Sequence, residues 1–145
     1  MKVLLQRVAS ASVTVDGEQI ARIDHGLLLL VGAARGDSAD VARTLARKVS
    51  GLRVFAGESG RFDRSVLDTG GEALVVSQFT LLGDTRKGRR PSFAGAEEPE
   101  QARALVDEFG AALDQLGVRV SRGQFGAHML VELINDGPVT LLLEG

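Results

Sequence analysis

Two short polar segments interrupt long apolar runs, and they hold the residues whose types and spacing suit chemistry. Ser77-Gln78-Phe79-Thr80 closes an apolar run that begins at Ala73. Asn135-Asp136-Gly137-Pro138-Val139-Thr140 lies between two others, Met129 to Ile134 and Val139 to Leu143. Polar residues that end a buried strand need hydrogen-bond partners or they cost stability. Strand alternation sends Ser77 and Phe79 to one face and Gln78 and Thr80 to the other. On spacing alone these hydroxyls read as a cap on the strand end. Thr80 is a weak nucleophile, because no histidine or amine lies near it in sequence to activate it. In the second segment proline cannot donate to a sheet ladder and glycine adds backbone freedom, so it reads as a turn with a special backbone position.

Other catalytic equipment is scarce. His25 precedes Gly26 in a turn, His128 begins an apolar strand, and the two form no metal spacing. Nothing marks Asp63 and Asp68 as an acid–base pair. No P-loop, G-x-S-x-G elbow or H-E-x-x-H motif occurs. The chain has no cysteine, which removes disulfides, thiolate metal sites and thiolate nucleophiles and fits a reducing compartment. No metal and no cofactor is expected. A net charge of −2 argues against nonspecific coating of nucleic acid. Yet Arg86, Lys87, Arg89 and Arg90 fall within five residues, followed by Glu97, Glu98 and Glu100. A compact basic loop of this kind grips a few phosphates or is simply solvated, and the charge pattern does not choose.

These segments must be positioned by a mostly β framework. Val3 to Val8 and Ser12 to Val15 are β-rich runs, and Asp16-Gly17 signals a hairpin before Gln19 to Ile23. Leu27 to Gly32 is continuously apolar, as expected of a strand buried on both faces. The period then changes: Val41, Leu45, Val49 and Leu52 mark a helix, with Ser38 as its N-cap. Val54-Phe55 begins a short strand before a loop at Gly57 and Gly60, and Ala73 to Phe79 is the next strong strand. Asp84 to Gly95 has no period and reads as a loop. A second helix begins near Pro99, carries the stripe Leu105, Phe109, Ala112, Leu113 and Leu116, and stops at Gly117. Val118 to Ser121, Met129 to Ile134 and Val139 to Leu143 complete the strands. The reading is one α+β domain over residues 1–145, mostly antiparallel or mixed sheet with two packing helices. At 145 residues such a domain buries a core without staples. No run approaches membrane-spanning length, and charge interrupts Met1 to Arg7 too early for a signal peptide. A soluble cytoplasmic protein that makes no membrane contact is expected.

Three motifs together are more specific than any one alone. Val75-Val76-Ser77-Gln78-Phe79-Thr80-Leu81, Asp84-Thr85-Arg86-Lys87-Gly88 with Arg90-Pro91-Ser92-Phe93, and Asn135 to Thr140 resemble the D-aminoacyl-tRNA deacylases. Gln6-Arg7-Val8, Ala11 to Val15 and Gly123 to Met129 extend that resemblance over essentially the whole chain. Two departures stand beside the motifs: Leu82-Gly83 in place of a more usual aromatic or small pair, and Phe62-Asp63 where many members carry Met-Asn.

The resemblance implies a barrel-like fold and a homodimer with active sites at the subunit interface. It implies hydrolysis of the ester joining a D-amino acid, or glycine mischarged on tRNA(Ala), to the 3′ acceptor end of tRNA. Ser77, Gln78, Phe79 and Thr80 form the catalytic segment, with the Phe79 and Thr80 amides facing the reacting carbonyl and the ribose 2′-hydroxyl assisting. Gly137-Pro138, joined by a cis bond and supplied by the partner subunit, rejects L-amino acids. Phe125 and Met129 line the adenosine pocket, and Arg86, Lys87, Arg89 and Arg90 contact tRNA phosphates. The competing expectation, from another class, is a noncatalytic module that binds the tRNA acceptor end.

Overall fold

In the computed structural model, which describes residues 1–145, the chain opens with β1 (Lys2–Val15), a single strand of 14 residues. It reverses at Asp16-Gly17, whose φ angles of 49° and 78° are those a two-residue hairpin loop of the favoured hand requires. The returning chain pairs antiparallel with β1 twice. First β2 (Glu18–Ile23) lies against Ala11 to Val15, then β3 (Gly26–Gly32) against Lys2 to Val8.

Helix α1 (Ala39–Gly51) follows, with the Ser38 Oγ accepting from the Val41 amide. A small ribbon of β4 (Phe55–Ala56) and β5 (Phe62–Arg64) leads into α2 (Val66–Thr69). Strand β6 (Glu72–Ser77) is parallel to β3. After a 3₁₀ turn at Phe79–Leu82 come α3 (Pro99–Gln115), then β7 (Arg119–Arg122), parallel to β6, and β8 (Leu130–Glu144). The sheet order is β2-β1-β3-β6-β7, with β8 on β1. The two parallel pairs need crossover connections, which α1 and α3 provide. Strand β2 returns into contact with β6 and β7, which curls the sheet toward a closed barrel.

The uninterrupted apolar run of β3 is explained by its two buried faces. Leu27, Leu29 and Val31 join the larger core beneath the helices, with Leu45, Val49, Phe109 and Leu113. Leu28 points the other way, into a smaller core with Val8, Val13, Ile23, Leu74 and Val76. Strand β6 divides in the same manner, Ala73 and Val75 against Leu74 and Val76.

Four expectations about elements need correction. The two short strands read at the N-terminus are one, because the small residues between them pair with β8 and do not break the strand. A third helix exists, the one-turn α2, fixed by a reciprocal capping box between Ser65 and Asp68. It is too short to display a period. The strand expected to reach Phe79 ends at Ser77.

The fourth correction concerns Asn135 to Thr140. The flanking apolar runs are not two strands joined by a reversing turn but the two halves of β8, both antiparallel to β1. Gln6 pairs with Thr140 and Val8 with Asn135, so two steps along β1 span five along β8. The segment is therefore a bulge in one strand.

Phe109 is the largest fully buried side chain. Phe109→Ala should lower unfolding stability by about 3–5 kcal/mol. Urea denaturation would show this as a lower midpoint with an unchanged slope.

Candidate active site

The carboxyl ends of the parallel strands meet where β6 stops. The Gln78 amide donates to the Val31 carbonyl at 2.8 Å, which fastens the start of the 3₁₀ turn to the end of β3. Gly32 makes this approach possible. A Cβ there would lie 2.6 Å from both the Gln78 carbonyl oxygen and the Leu82 side chain.

The turn also removes the strand alternation expected of these four residues. Gln78 takes φ −149° and ψ 77°, and its side-chain amide donates to the Thr80 hydroxyl. The Leu81 amide bonds back to the Gln78 carbonyl. Phe79 and Thr80 begin the turn, so their N–H groups have no carbonyl within it to donate to.

Beside the turn lies a cleft of about 380 Å³ lined by Arg35, Ser77, Phe79, Phe93, Ala96, Glu97, Glu98, Pro99, Ala102, Phe125 and Gly126. Its size and largely apolar walls suit a small ligand. The Phe79 and Phe93 rings meet edge to face with centroids 5.0 Å apart, yet Phe79 remains 56% exposed. Gly83, one of the two sequence departures, permits this contact, since a Cβ there would stand 3.0 Å from the Phe93 ring.

Phe125 forms another wall, while Met129 packs on the smaller core with its sulfur against Gly123. At the acidic rim the Glu97 carboxylate accepts from the Glu98 and Gly36 amides, both at 2.9 Å, which holds its pKa below the usual range. Arg35 donates to the Ala94 carbonyl and pairs with Glu98, each at 3.2 Å.

The basic loop springs from a two-way bridge between the Asp84 and Ser92 backbones. Arg86 folds back onto Asp84 as a fork, with contacts of 2.9, 3.1 and 2.6 Å. Lys87, Arg89 and Arg90 are exposed and make no ion pair.

The Asn135–Thr140 bulge is braced by side chains from β1 and by its own Asn135. The Arg7 guanidinium, almost buried on β1, donates to the Asp136 carbonyl at 2.8 Å and to the Val54 carbonyl at 2.6 Å. The Asn135 side-chain amide donates to the Arg7 and Val139 carbonyls at 3.0 and 3.3 Å. Gln6 reaches the Thr140 hydroxyl at 3.1 Å. The Gly137–Pro138 peptide bond at the crest is cis. Phe62, the other departure, lies against the Arg7 guanidinium, 5.4 Å from ring centroid to carbon, and so touches this brace. Within one chain the bulge contributes nothing to the cleft lining.

Neither histidine enters the cleft. His25 packs edge-on to Phe55, and no cluster of three metal-ligating side chains occurs. Several residues that shape the site have no role assigned by the sequence, although Arg7 and Phe93 fall within its resembling motifs. Phe93 sits in an aperiodic loop, and Arg7 and Arg35 acquire meaning only through partners far along the chain.

The structure thus joins a crossover-containing barrel, an aromatic cleft and, at a strand end beside it, backbone amides without a main-chain partner. Residues 4–144 match the family model for D-Tyr-tRNA(Tyr) deacylase. The D-aminoacyl-tRNA deacylase of Roseiflexus sp. strain RS-1 is 60% identical over 99% of this chain and 93% of its own length. Among solved structures, a c-Myc DNA unwinding element binding protein superposes with TM-score 0.93 at 43% identity, covering 100% of this chain and 99% of that one. A structure described as a probable eukaryotic D-amino acid tRNA deacylase shares the fold, with TM-score 0.85 at 17% identity over 98% of this chain and 97% of that one. The chain belongs to the D-Tyr-tRNA(Tyr) deacylase family and is an enzyme, a hydrolase of D-aminoacyl-tRNA esters. No helix is long and apolar enough to cross a membrane.

Replacing Arg7 by Met leaves the Asp136 and Val54 carbonyls without their charged donor. Stability should fall by about 2–4 kcal/mol in a denaturant titration.

The Arg86 fork holds the Asp84 carboxyl below the ordinary aspartate range. Its contribution to loop order is therefore fully present above the unfolded-state value and is lost as pH falls through the lowered folded-state value. An NMR titration of Asp84 should show a midpoint below the unperturbed aspartate value of about 3.9, moved back toward it in Arg86→Ala.

Proposed function

We propose that the enzyme removes D-amino acids, and glycine mischarged on tRNA(Ala), from the 3′ end of tRNA in the cytoplasm. It does so as a homodimer in which the Gly137-Pro138 bulge of one subunit faces the cleft of the other. The observation that carries the catalytic half is the 3₁₀ turn, fastened by Gln78 to β3 with the Phe79 and Thr80 amides free at its start beside the cleft. An aminoacyl ester to ribose is already activated. Water adds to the carbonyl carbon with help from the vicinal 2′-hydroxyl, and the oxyanion meets the two amides. The tetrahedral intermediate then expels the 3′-oxygen, which takes a proton, leaving free tRNA and a D-amino acid. Preorganised amides of this kind supply several kcal/mol without any side-chain base. Phe125 takes the terminal adenosine, with Met129 seated outside the cleft lining on the smaller core, and Lys87, Arg89 and Arg90 meet tRNA phosphates, with Arg86 set by its fork to Asp84.

The dimer reading rests on β8. Its free edge runs the length of the strand, and Leu130, Ile134, Leu141 and Leu142 stand exposed on both sides of the bulge. An unpaired apolar edge of that length calls for a partner. A rigid backbone crest brought to the cleft excludes an L side chain by contact, while a D side chain points away and glycine has none.

The released amino acid distinguishes this reading from a noncatalytic acceptor-end binder. D-tyrosine should be freed from D-Tyr-tRNA far above the spontaneous rate, glycine from glycyl-tRNA(Ala) likewise, and L-Tyr-tRNA spared. Binding without turnover would defeat the proposal. Thr80→Ala keeps the amide and should retain most of the activity. Thr80→Pro removes it and should lower kcat by about 10²–10³-fold, with folding checked by thermal melting. Near-complete inactivation of a folded Thr80→Ala would instead give the hydroxyl the leading role.

A further inference from the structure

The cleft's aromatic wall carries a cation that the reaction scheme leaves unused. The Arg103 guanidinium, on the first turns of α3, lies over the Phe125 ring with its central carbon 5.2 Å from the ring centroid. Arg103 is exposed and forms no ion pair and no side-chain hydrogen bond with the protein.

The other cations around the cleft differ. Arg35 is spent on Glu98 and the Ala94 carbonyl. Arg86 is forked onto Asp84. Arg122 lies against Gly110 of α3, where a Cβ would meet its guanidinium at 2.9 Å. Arg103 is thus positioned by stacking alone, which leaves the whole rim of N–H donors unspent beside a ring that lines the cleft. Stacking a guanidinium on an aromatic ring orders it without consuming its donors, and a planar fork of donors matches phosphate oxygens.

We propose that Arg103 binds the phosphodiester next to the terminal nucleoside and so positions the acceptor strand for ester cleavage. This rests on the reading of the cleft as the seat of that nucleoside. Arg103 is then a positioning residue. It acts on the strand that carries the ester and touches no reacting atom.

The test compares two esters, D-Tyr-tRNA and 3′-D-tyrosyl-adenosine, which has the same reacting group and base but no phosphate. Arg103→Ala should raise KM for D-Tyr-tRNA by about tenfold with kcat little changed. It should also make the fall of log(kcat/KM) with log salt shallower by about 0.7, the share of one single-stranded phosphate. Hydrolysis of the adenosine ester should be unaltered. Arg103→Lys should keep the salt slope but recover KM only in part, since an ammonium neither stacks as flatly nor forks. Arg47→Ala, which removes an exposed arginine of α1, should change none of these values.

Equal impairment of both esters by Arg103→Ala would overturn the proposal and assign Arg103 to support of Phe125. An unchanged salt slope with D-Tyr-tRNA would overturn it as well. Failure of the unmodified enzyme on both esters would sink the deacylase reading, a result separable from either of these.

Discussion

Everything that shapes this molecule is referred to one strand, β1, paired along its whole length on both edges. One edge holds β2 and β3, and the other holds both halves of β8. The register slip between Gln6 and Val8 pushes Asp136 to Val139 out of the ladder, and the residue at the slip is Arg7. Its guanidinium donates to the Asp136 carbonyl, which the broken ladder would otherwise leave unpaired, and ties it to the Val54 carbonyl just before β4. The bulge is therefore not loose chain between two strands. Sheet pairing pins both of its ends, and a nearly buried cation holds its interior.

The same strand sets the cleft. Strand β3, fixed against β1 and buried on both faces, presents the Val31 carbonyl at its end, and the 3₁₀ turn hangs from that carbonyl. Parallel β6 and β7 end nearby, so connections leaving their carboxyl ends supply Ser77, Phe79 and Phe125. Crevices at such ends are the usual ligand sites of parallel sheets. Gly32 and Gly83 let the turn and the Phe93 ring close on each other. The wall is thus set by the absence of two side chains as much as by the presence of three rings.

The framework was largely legible in the sequence, and the reasons are local. Leu27 to Gly32 has no alternation because both faces are buried, and the stripe from Leu105 to Leu113 keeps helical spacing over a core. Ser38 and Pro99 mark helix starts by chemistry that acts within a few residues. The motifs at Ser77 to Thr80 and Asn135 to Thr140 also stood out, but their geometry did not. Asn-Asp-Gly-Pro has the composition of a turn, and only pairing with β1, some 130 residues away, makes it a bulge. Ser77 to Thr80 continues an apolar strand in composition, while the 3₁₀ bond from the Leu81 amide back to the Gln78 carbonyl ends the strand. Arg7, Phe93 and Arg103 were invisible as site residues because each draws its role from a partner remote in sequence. Charge counting misleads for the same reason. Arg86 belongs to the densest basic cluster, yet Asp84, two residues away, neutralises it.

In the mechanism proposed, main-chain amides do the work usually given to a side-chain nucleophile and its base, and that choice constrains selectivity. A side-chain nucleophile can be aimed by its own rotamer, whereas an amide points where the backbone sends it. Backbone donors thus demand a rigidly held turn, which the tie to β3 provides. They also bind the carbonyl of an L and a D ester alike, since the carbonyl is common to both. Discrimination has to come from outside the oxyanion site, from a surface that meets the substituent on the α-carbon. A braced crest of backbone meets that need better than a side chain. It cannot rotate aside for the wrong enantiomer, and a side chain exchanged at its surface does not remove it. The bracing of the bulge by Arg7 and Asn135 is thus the structural counterpart of leaving catalysis to the main chain.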